Sequence, residues 1–528
     1  RLMMDTFVMR HLPALLIAVP LFAAFLMPIV GGAGRAVRNA WVLLGALATS
    51  AVGLALAWKV LTTGTVLYVF GAATTQLAIP MDSGGIPIRI IFQVDALSAL
   101  MVVIASLSSL GILIYSLAAE SKQSGLETFY AMLFLLVVGV FGMVSTGDLF
   151  NFFVFLEISS LAGAALVAYR VDDGVAVEAG LKYALLSTLG ALAVLTAIGV
   201  LFAQYNALNL ATLASRLQFT TLDKIALVLL AVPLAMKCGA VPMHFWTPDS
   251  YTTAPSSVTA FLVVSSQASL YGLFRILFTL YGHLIQFSWA TFGWFLIVLG
   301  VLSMFVGVTM AIPQKDVKRL MAYHAVSQTG YMLLGVGVGL AVLGNADALA
   351  QYGRTAMAGG LFHIINHAMY KGLLFLTAGA VFYRAGTRNL NKLGGLGHDM
   401  PWTMVFFMIG ALAIAGVPPF NGFASKLLIY ESVFRFSPFL SIVAMIVSIL
   451  TLASFVKVFH SMFLGPRRAE FAAVREVPAP MLAGMALLAV FVVAAGLAPQ
   501  PFVDHLIRPA VDALVDRAGY IAAILGGR

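Results

Sequence analysis

Three titratable side chains recur every four residues in Phe362-His363-Ile364-Ile365-Asn366-His367-Ala368-Met369-Tyr370-Lys371, so a helix stacks His363, His367 and Lys371 on one face. Histidine titrates near neutral pH and has two ring nitrogens through which a proton can pass. The stripe therefore fits a proton relay, with a satisfied polar core as the alternative. Two histidines at this spacing also suit a metal. No Asp, Glu or Cys accompanies them, however, and no metal site is expected.

Other ionisable residues interrupt apolar runs one at a time. Glu157 lies at the end of Phe150-Asn151-Phe152-Phe153-Val154-Phe155-Leu156-Glu157, Lys237 and Lys426 lie near the middle of two further runs, and Lys182 lies near the start of another. A charge held at mid-bilayer is expensive, so each is a candidate for function. The alternatives are a structural ion pair or a side chain that snorkels to the interface. Burial disfavours the charged form of either type, which brings a lysine towards the range where it can give up and regain a proton. Glu157 and Lys237 form a candidate pair whose separation would tune that exchange. His324, followed by Ser327 and Gln328, carries polar groups further into a span, where they could hold water.

Such positions need elements that cross a bilayer, and the composition supplies them. Of 528 residues, 61% are hydrophobic and 10% charged, with mean hydropathy +1.00, whereas soluble domains run near roughly 45–50% apolar and about 25% charged. A soluble enzyme is excluded. The lone cysteine, Cys238, cannot form an internal disulfide, a four-cysteine zinc site or an iron–sulfur cluster. No phosphate-binding glycine loop and no nucleophile–base–orienter set is evident. The expectation is a chain with no cofactor and no redox or hydrolytic site of its own. The formal charge of +9 belongs mostly to short loops between apolar runs, which signals membrane orientation and not a nucleic-acid partner.

Apolar runs long enough to span lie near 12–31, 40–61, 95–118, 126–146, 149–169, 180–203, 224–248, 256–281, 286–311, 316–344, 354–383, 402–436, 438–465 and 478–498. The prediction is an all-α polytopic membrane protein of about fourteen transmembrane helices. The first run reads as a retained helix, with no targeting segment evident. Thr62 to Val94, with its Gly84-Gly85 turn, reads as a hairpin outside the bilayer. Asn206 to Leu217 and the tail Pro499 to Arg528 read as amphipathic segments lying at the interface.

Arg35, Arg38, Lys122, Arg170, Lys315, Lys318, Arg319, Arg384, Arg388, Lys392, Arg467, Arg468 and Arg475 fall in alternate loops, against chiefly Arg89, Arg216, Lys224 and Arg354 in the opposite set. This bias puts the first set in the cytoplasm and both termini outside it. Prolines break two spans: Pro242 and Pro248 in the seventh, Pro418-Pro419 in the twelfth. Proline frees helix carbonyls, which is tolerated where the backbone faces protein or water. Two breaks five spans apart, each beside a lysine, point to two related five-helix units and to a transport site.

Five ordered motifs carry a resemblance. Thr146-Gly147-Asp148-Leu149-Phe150-Asn151 runs into Glu157. Met236-Lys237 runs through Pro242-Met243-His244-Phe245-Trp246-Thr247-Pro248-Asp249 to Ala254-Pro255. Asp316-Val317-Lys318-Arg319 runs to Ser327-Gln328-Thr329-Gly330-Tyr331. His363 to Lys371 is the fourth, and Pro418-Pro419-Phe420-Asn421-Gly422-Phe423 with Lys426 the fifth. Together they resemble the antiporter-like subunits shared by respiratory complex I, the multisubunit Mrp sodium/proton antiporters and membrane-bound hydrogenases. The local wording is most similar to the Mrp D subunit.

The resemblance implies inverted five-helix repeats at spans 4–8 (126–281) and 9–13 (286–465), with helices 7 and 12 broken. Helices 1–2 and the hairpin (1–94) and helix 3 (95–125) would precede them, and helix 14 with the tail (478–528) would follow. It makes Glu157 and Lys237 the acid–lysine pair, His363, His367 and Lys371 the central hydrophilic axis, and Lys426 the ionisable residue of the twelfth span. The family usually places a bridging lysine where this chain has Gln267, which can hydrogen-bond and hold water but cannot titrate. Transfer from Lys237 would then depend on water or on a neighbour such as His324.

The implied function is proton translocation within a multisubunit membrane complex of the bacterial or archaeal cell membrane. Its partners would be other membrane subunits, lipids and protons, with Na+ as an open second cargo. A D-type monovalent cation/proton antiporter subunit without redox chemistry is the alternative. A self-contained solute carrier lacks a substrate-shaped polar cluster here, and costly buried charges argue against a structural scaffold.

Overall fold

The computed structural model describes residues 2–71, 90–282 and 289–526. The chain is predominantly helical. After α1 (Leu2–Gly31) and α2 (Arg35–Thr63) comes an antiparallel ribbon of β1 (Val66–Val69) and β2 (Ile91–Val94), with Val66 opposite Val94 and Val69 opposite Ile91. The expected hairpin has its two strands, while Gly84-Gly85 and Arg89 lie outside the described residues.

Next come α3 (Ala96–Ala119), α4 (Leu126–Ser145), α5 (Leu149–Val167), α6 (Gly174–Tyr205), the short α7 (Leu210–Arg216), α8 (Thr221–Lys237), α9 (Trp246–Thr253) and α10 (Ser256–Phe274), which continues as a π-helical turn to Leu280. The second half contains α11 (Trp289–Ala311), α12 (Val317–Ala341) and a three-residue turn, α13 (Ala346–Ala348), that leads into α14 (Arg354–Ala385). Then follow α15 (Pro401–Ala415), α16 (Asn421–Phe436), α17 (Pro438–Phe463) and α18 (Ala479–Leu497). The chain closes with α19 (Pro499–Phe502), α20 (Arg508–Val515) and α21 (Arg517–Leu525). Side-chain caps set several of these starts: Asp95, Asp148, Asp173 and Asp316 each accept backbone N–H bonds from the first turn of the helix that follows, as short polar N-caps do.

Among the described residues, ten helices are long and apolar enough to cross a membrane. The helices outside that set are informative. α12 and α14 have 25 and 32 residues, yet they carry His324, Gln328 and the His363–Lys371 stripe, whose polarity lowers their hydropathy. α8, α9, α15 and α16 are short because the chain breaks after Lys237 and again between Ala415 and Asn421. α10 is the central element: 94% of its apolar window is buried, against 33% for α1, which faces outward.

Both breaks are satisfied locally, as freed carbonyls and amides in a bilayer must be. At the first, the Trp246 indole donates to the Met236 carbonyl at 2.8 Å, and the Val241 amide donates to Ser303 Oγ at 2.9 Å. At the second, Lys426 Nζ donates to the Ile414 carbonyl at 2.7 Å, and Ser448 Oγ donates to the Ala415 carbonyl at 3.0 Å. Gly416 turns the chain there with φ +78°, and a Cβ in its place would stand 3.0 Å from Lys426 Cδ.

The loops assigned to one side by charge do meet at one end of the bundle. Arg38 pairs with Glu127, Arg319 with Asp249, Arg388 with Asp316, and Arg467 with Asp399. Arg384 reaches the Glu476 carbonyl, and Arg468 the Lys392 carbonyl. At the other end, the Gln93 amide donates to the Tyr520 carbonyl at 2.7 Å, and Arg517 Nε donates to the Thr279 carbonyl at 3.0 Å.

Two local expectations need correction. Asn206 to Leu217 was expected to lie on the surface, but Leu210 to Ala214 are all buried. α21 packs over α7, and Arg517 donates to the Ala214 carbonyl, so the tail supplies the cover that the isolated segment lacks. Lys318, read from sequence as one of the basic residues of the loops, is likewise buried, with its ammonium on the Ala254 carbonyl. The tail keeps its amphipathic character, burying Ala510, Val511, Leu514, Tyr520 and Ile524.

Candidate functional site: a buried polar axis

The first part of the axis is built where α5 meets the end of α8. Lys237 is the last residue of α8, where a cation sits favourably at the negative end of the helix dipole. It is buried, and its Nζ donates to Ser160 Oγ. Glu157 stands one turn before Ser160 on α5 and is half-buried, with Oε1 enclosed and lacking a protein partner. No ion pair within 4 Å joins Glu157 to Lys237 among the described residues: the serine holds the ammonium while the carboxylate stays apart. Ser159 Oγ, beside Ser160, meets Ser265 Oγ of α10 at 3.1 Å, two residues before Gln267.

Gln267 is the link between the halves. Its Nε2 donates to the Ile364 carbonyl at 3.1 Å and lies 2.8 Å from His367 Nδ1. The residue that interrupts the family pattern thus touches the central stripe directly.

The second part gathers on α12, α14 and α16. His363 Nδ1 lies 2.9 Å from Ser425 Oγ, and its Nε2 lies 3.1 Å from Gln328 Oε1. Tyr370 donates to the same Gln328 oxygen at 3.2 Å. The rings of His363 and His367 stack with centroids 6.4 Å apart. Lys371 is fully buried without a hydrogen-bond partner among the described residues. It lies over the rings of Phe375 and Phe455, 5.4 and 5.8 Å from their centroids, as cation–π contacts allow. His324 Nε2 lies 2.8 Å from Ser454 Oγ. Lys426 Nζ donates to Ser448 Oγ at 2.9 Å and lies 4.6 Å from the Tyr331 ring centroid.

Buried polar atoms ordinarily have partners. Along this axis several have none among the described residues: Glu157 Oε1, Gln267 Oε1, His367 Nε2, Lys371 Nζ, His324 Nδ1 and Gln328 Nε2. Each is a buried polar atom whose hydrogen bonding a water could complete where there is room for one. The described residues contain no group of three or more His, Cys, Asp or Glu able to hold a metal.

Lys182 lies elsewhere. α6 begins at Gly174 because Asp173 caps it, which leaves Lys182 two turns in, half exposed and paired with Glu178 at 2.7 Å and Asp249 at 3.4 Å. It lines a charged cleft of about 370 Å³ at the basic end with Arg170, Asp249, Arg319 and Arg388. Its expected place in the relay gives way to a surface ion pair.

Sequence reasoning also missed groups. Glu120 follows α3 and is buried with Ser257 Oγ donating to it at 3.0 Å. Burial pushes its carboxyl up despite nearby Arg170 and the Ser257 bond. Asp95 and Arg275 form a buried ion pair, with Tyr271 OH 3.0 Å from Arg275 Nε. Asp148 is pushed up by burial to about 6, against the backbone bonds it accepts from Asn151 and Phe150. Of these only Asp148 stands in the sequence reading, as part of the first motif.

Residues 146–451 match the family model described as NADH:quinone oxidoreductase/Mrp antiporter, TM. The chain is 32% identical to the N subunit of NADH-quinone oxidoreductase of Desulforudis audaxviator, over 95% of this chain and 98% of that protein. It is 31% identical to the D subunit of the Na(+)/H(+) antiporter of Alkalihalophilus pseudofirmus, over 83% and 86% respectively. A chain of the Mrp complex from Dietzia sp. superposes with TM-score 0.83 at 27% identity, covering 98% of this chain and 99% of that one. With its broken helices and buried lysines in place, the chain belongs to the NADH:quinone oxidoreductase/Mrp antiporter transmembrane family.

Proposed function

We propose that this chain is a proton-translocating, antiporter-like subunit of a multisubunit membrane complex. The observation that carries this reading is the row of buried groups from Glu157 and Lys237, through Gln267, to His363, His367, Lys371 and Lys426. Its relatives are subunits of such complexes, and its single cysteine cannot ligate an iron–sulfur cluster. Protonation would alternate between the Glu157/Lys237 part and the histidine–lysine part, driven by charge movement in neighbouring subunits. The finer architecture we read as fourteen spans, with α8/α9 and α15/α16 as the broken seventh and twelfth and inverted repeats at spans 4–8 and 9–13. The basic end faces the cytoplasm in this reading and both termini face away, as the Lys and Arg bias supports.

A second reading is a D-type component of a monovalent cation/proton antiporter, favoured by the likeness to the Na(+)/H(+) antiporter protein and to the Mrp complex. Purifying the intact complex and identifying its other subunits separates the two. Iron–sulfur or flavin subunits support the redox-driven complex, while small apolar subunits alone support the antiporter. In vesicles carrying that complex, an internal pH dye should report proton movement that Lys237→Ala removes. Unchanged movement in the variant would refute the relay.

A further inference from the structure

Gln267 stands where a titratable group would make the simplest bridge, and its hydrogen bonds give it a different task. The Ile364 carbonyl can only accept, so the amide atom that faces it at 3.1 Å must be the NH2. The second hydrogen of that NH2 then faces His367 Nδ1 at 2.8 Å, and a nitrogen opposite a donor must offer its lone pair. The ring proton is therefore on Nε2, the nitrogen without a hydrogen-bond partner among the described residues. Gln267 and His367 are both buried, so bulk water does not compete for these bonds.

We propose that Gln267 is a positioning residue that locks His367 in the neutral Nε2–H tautomer and opens the path between the halves only when its amide turns over. This rests on the proton-relay reading above. Nδ1 is the only basic nitrogen of the locked ring, and the NH2 covers it. A proton arriving from the Lys237 side binds Nδ1 only if the NH2 gives way. Turning the amide brings Oε1, which has no protein partner in the locked arrangement, to accept from the new Nδ1–H. The proton on Nε2 then leaves towards His363 and Lys371. One proton enters, one departs, and the ring is an imidazolium only in between.

The turn gives up the bond to Ile364, whose carbonyl lies inside α14 and keeps its helical bond. The difference is one buried hydrogen bond, a population ratio on the order of tenfold, which is small enough for a gate to reverse. The titratable groups that act on His367 are His363, Tyr370 and Lys371 of its own helix and Lys426 from α16. Neutral Gln267 faces it from α10. A lysine in that position would carry charge across; the glutamine reads the charge of its neighbour instead.

The test is nitrogen-15 solid-state NMR of the intact complex labelled at histidine, with the His367 signals assigned by their loss in His367→Gln. Wild type should show Nδ1 bare and Nε2 protonated. Gln267→Glu, close in size but without N–H donors, should move the ring proton to Nδ1. Gln267→Leu should abolish the preference, bringing a roughly tenfold excess near parity, and should impair proton movement in vesicles. A wild-type ring protonated on Nδ1, or a tautomer unchanged in both variants, would overturn the lock. A shifted tautomer with wild-type proton movement would overturn the gate. A locked tautomer in a wild-type complex that moves no protons would instead count against the functional reading alone.

Discussion

The two halves of the axis solve the problem of buried charge differently. Up to Lys237 the chain buries Asp95, Glu120, Asp148 and Asp223 and half-buries Glu157; from α11 onward it buries Lys318, Lys371 and Lys426 and, among the described residues, no carboxylate. In the first half Glu157 is the counter-charge near a protonated Lys237, even though Ser160 and not Glu157 touches the ammonium, while the fully buried carboxylates serve other partners, Asp95 with Arg275 and Glu120 with Ser257. The second half meets its lysines with hydroxyls, carbonyls and ring faces. A proton loaded there has no buried anion to settle against, so it must be delivered and withdrawn by changes elsewhere. An unpaired buried charge is a high-energy state, and a cycle that stores and releases a proton needs such a state on one side.

The contrast can be broken most sharply at Lys237. Lys237→Ala should slow proton movement by at least about 100-fold, the scale of losing a proton-transferring side chain, as measured in vesicles holding the whole complex. Lys371→Met should also lose transport, by at least about tenfold. Yet it removes an unpartnered ammonium, and thermal unfolding should show a protein unchanged or more stable by about 1–4 kcal/mol. Lys237→Met, which leaves Glu157 facing no cation, should not gain in this way. Equal stabilisation by the two methionines would erase the distinction between the halves.

Ser160→Ala should be milder. It removes one buried hydrogen bond from Lys237, about 1 kcal/mol, and should cut transport by about three- to tenfold while Lys237 stays in place. Asp148, at the head of the helix that bears Glu157, gives a pH signature. Its carboxyl is raised from 3.8 to about 6 by burial, so the folded state prefers it protonated, and stability falls as pH rises from about 4 to 6. Asp148→Asn, which can still cap α5, should flatten that part of a thermal-stability profile. Smallest of all should be Lys182→Ala. An ion pair this exposed contributes little, and transport should change by less than about twofold; a large loss would return Lys182 to the relay.

Much of this is legible in the sequence. The apolar runs, the breaks at Pro242 and Pro418-Pro419 and the four-residue stripe of α14 are local properties, and the helices follow them. Pairings were not legible. Glu157 and Lys237 were matched by opposite charge, but a serine one turn away takes the ammonium. Asn206 to Leu217 looked interfacial because its cover, α21, lies at the far end of the chain. Lys182 falls inside an apolar run of the sequence, but α6 begins at Gly174 and leaves it half exposed beside Glu178 and Asp249.

The sequence alone determined that the chain crosses a membrane, where its helices break and which few ionisable side chains interrupt its apolar runs, because the bilayer imposes those rules on each segment separately. Tertiary structure decided which atom each of those side chains meets: Ser160 for Lys237, His367 for Gln267, Ser425 and Gln328 for His363, and only aromatic faces for Lys371. The physical reason is that helical periodicity fixes the face a residue occupies on its own helix, whereas hydrogen bonding and burial depend on what another helix places opposite it.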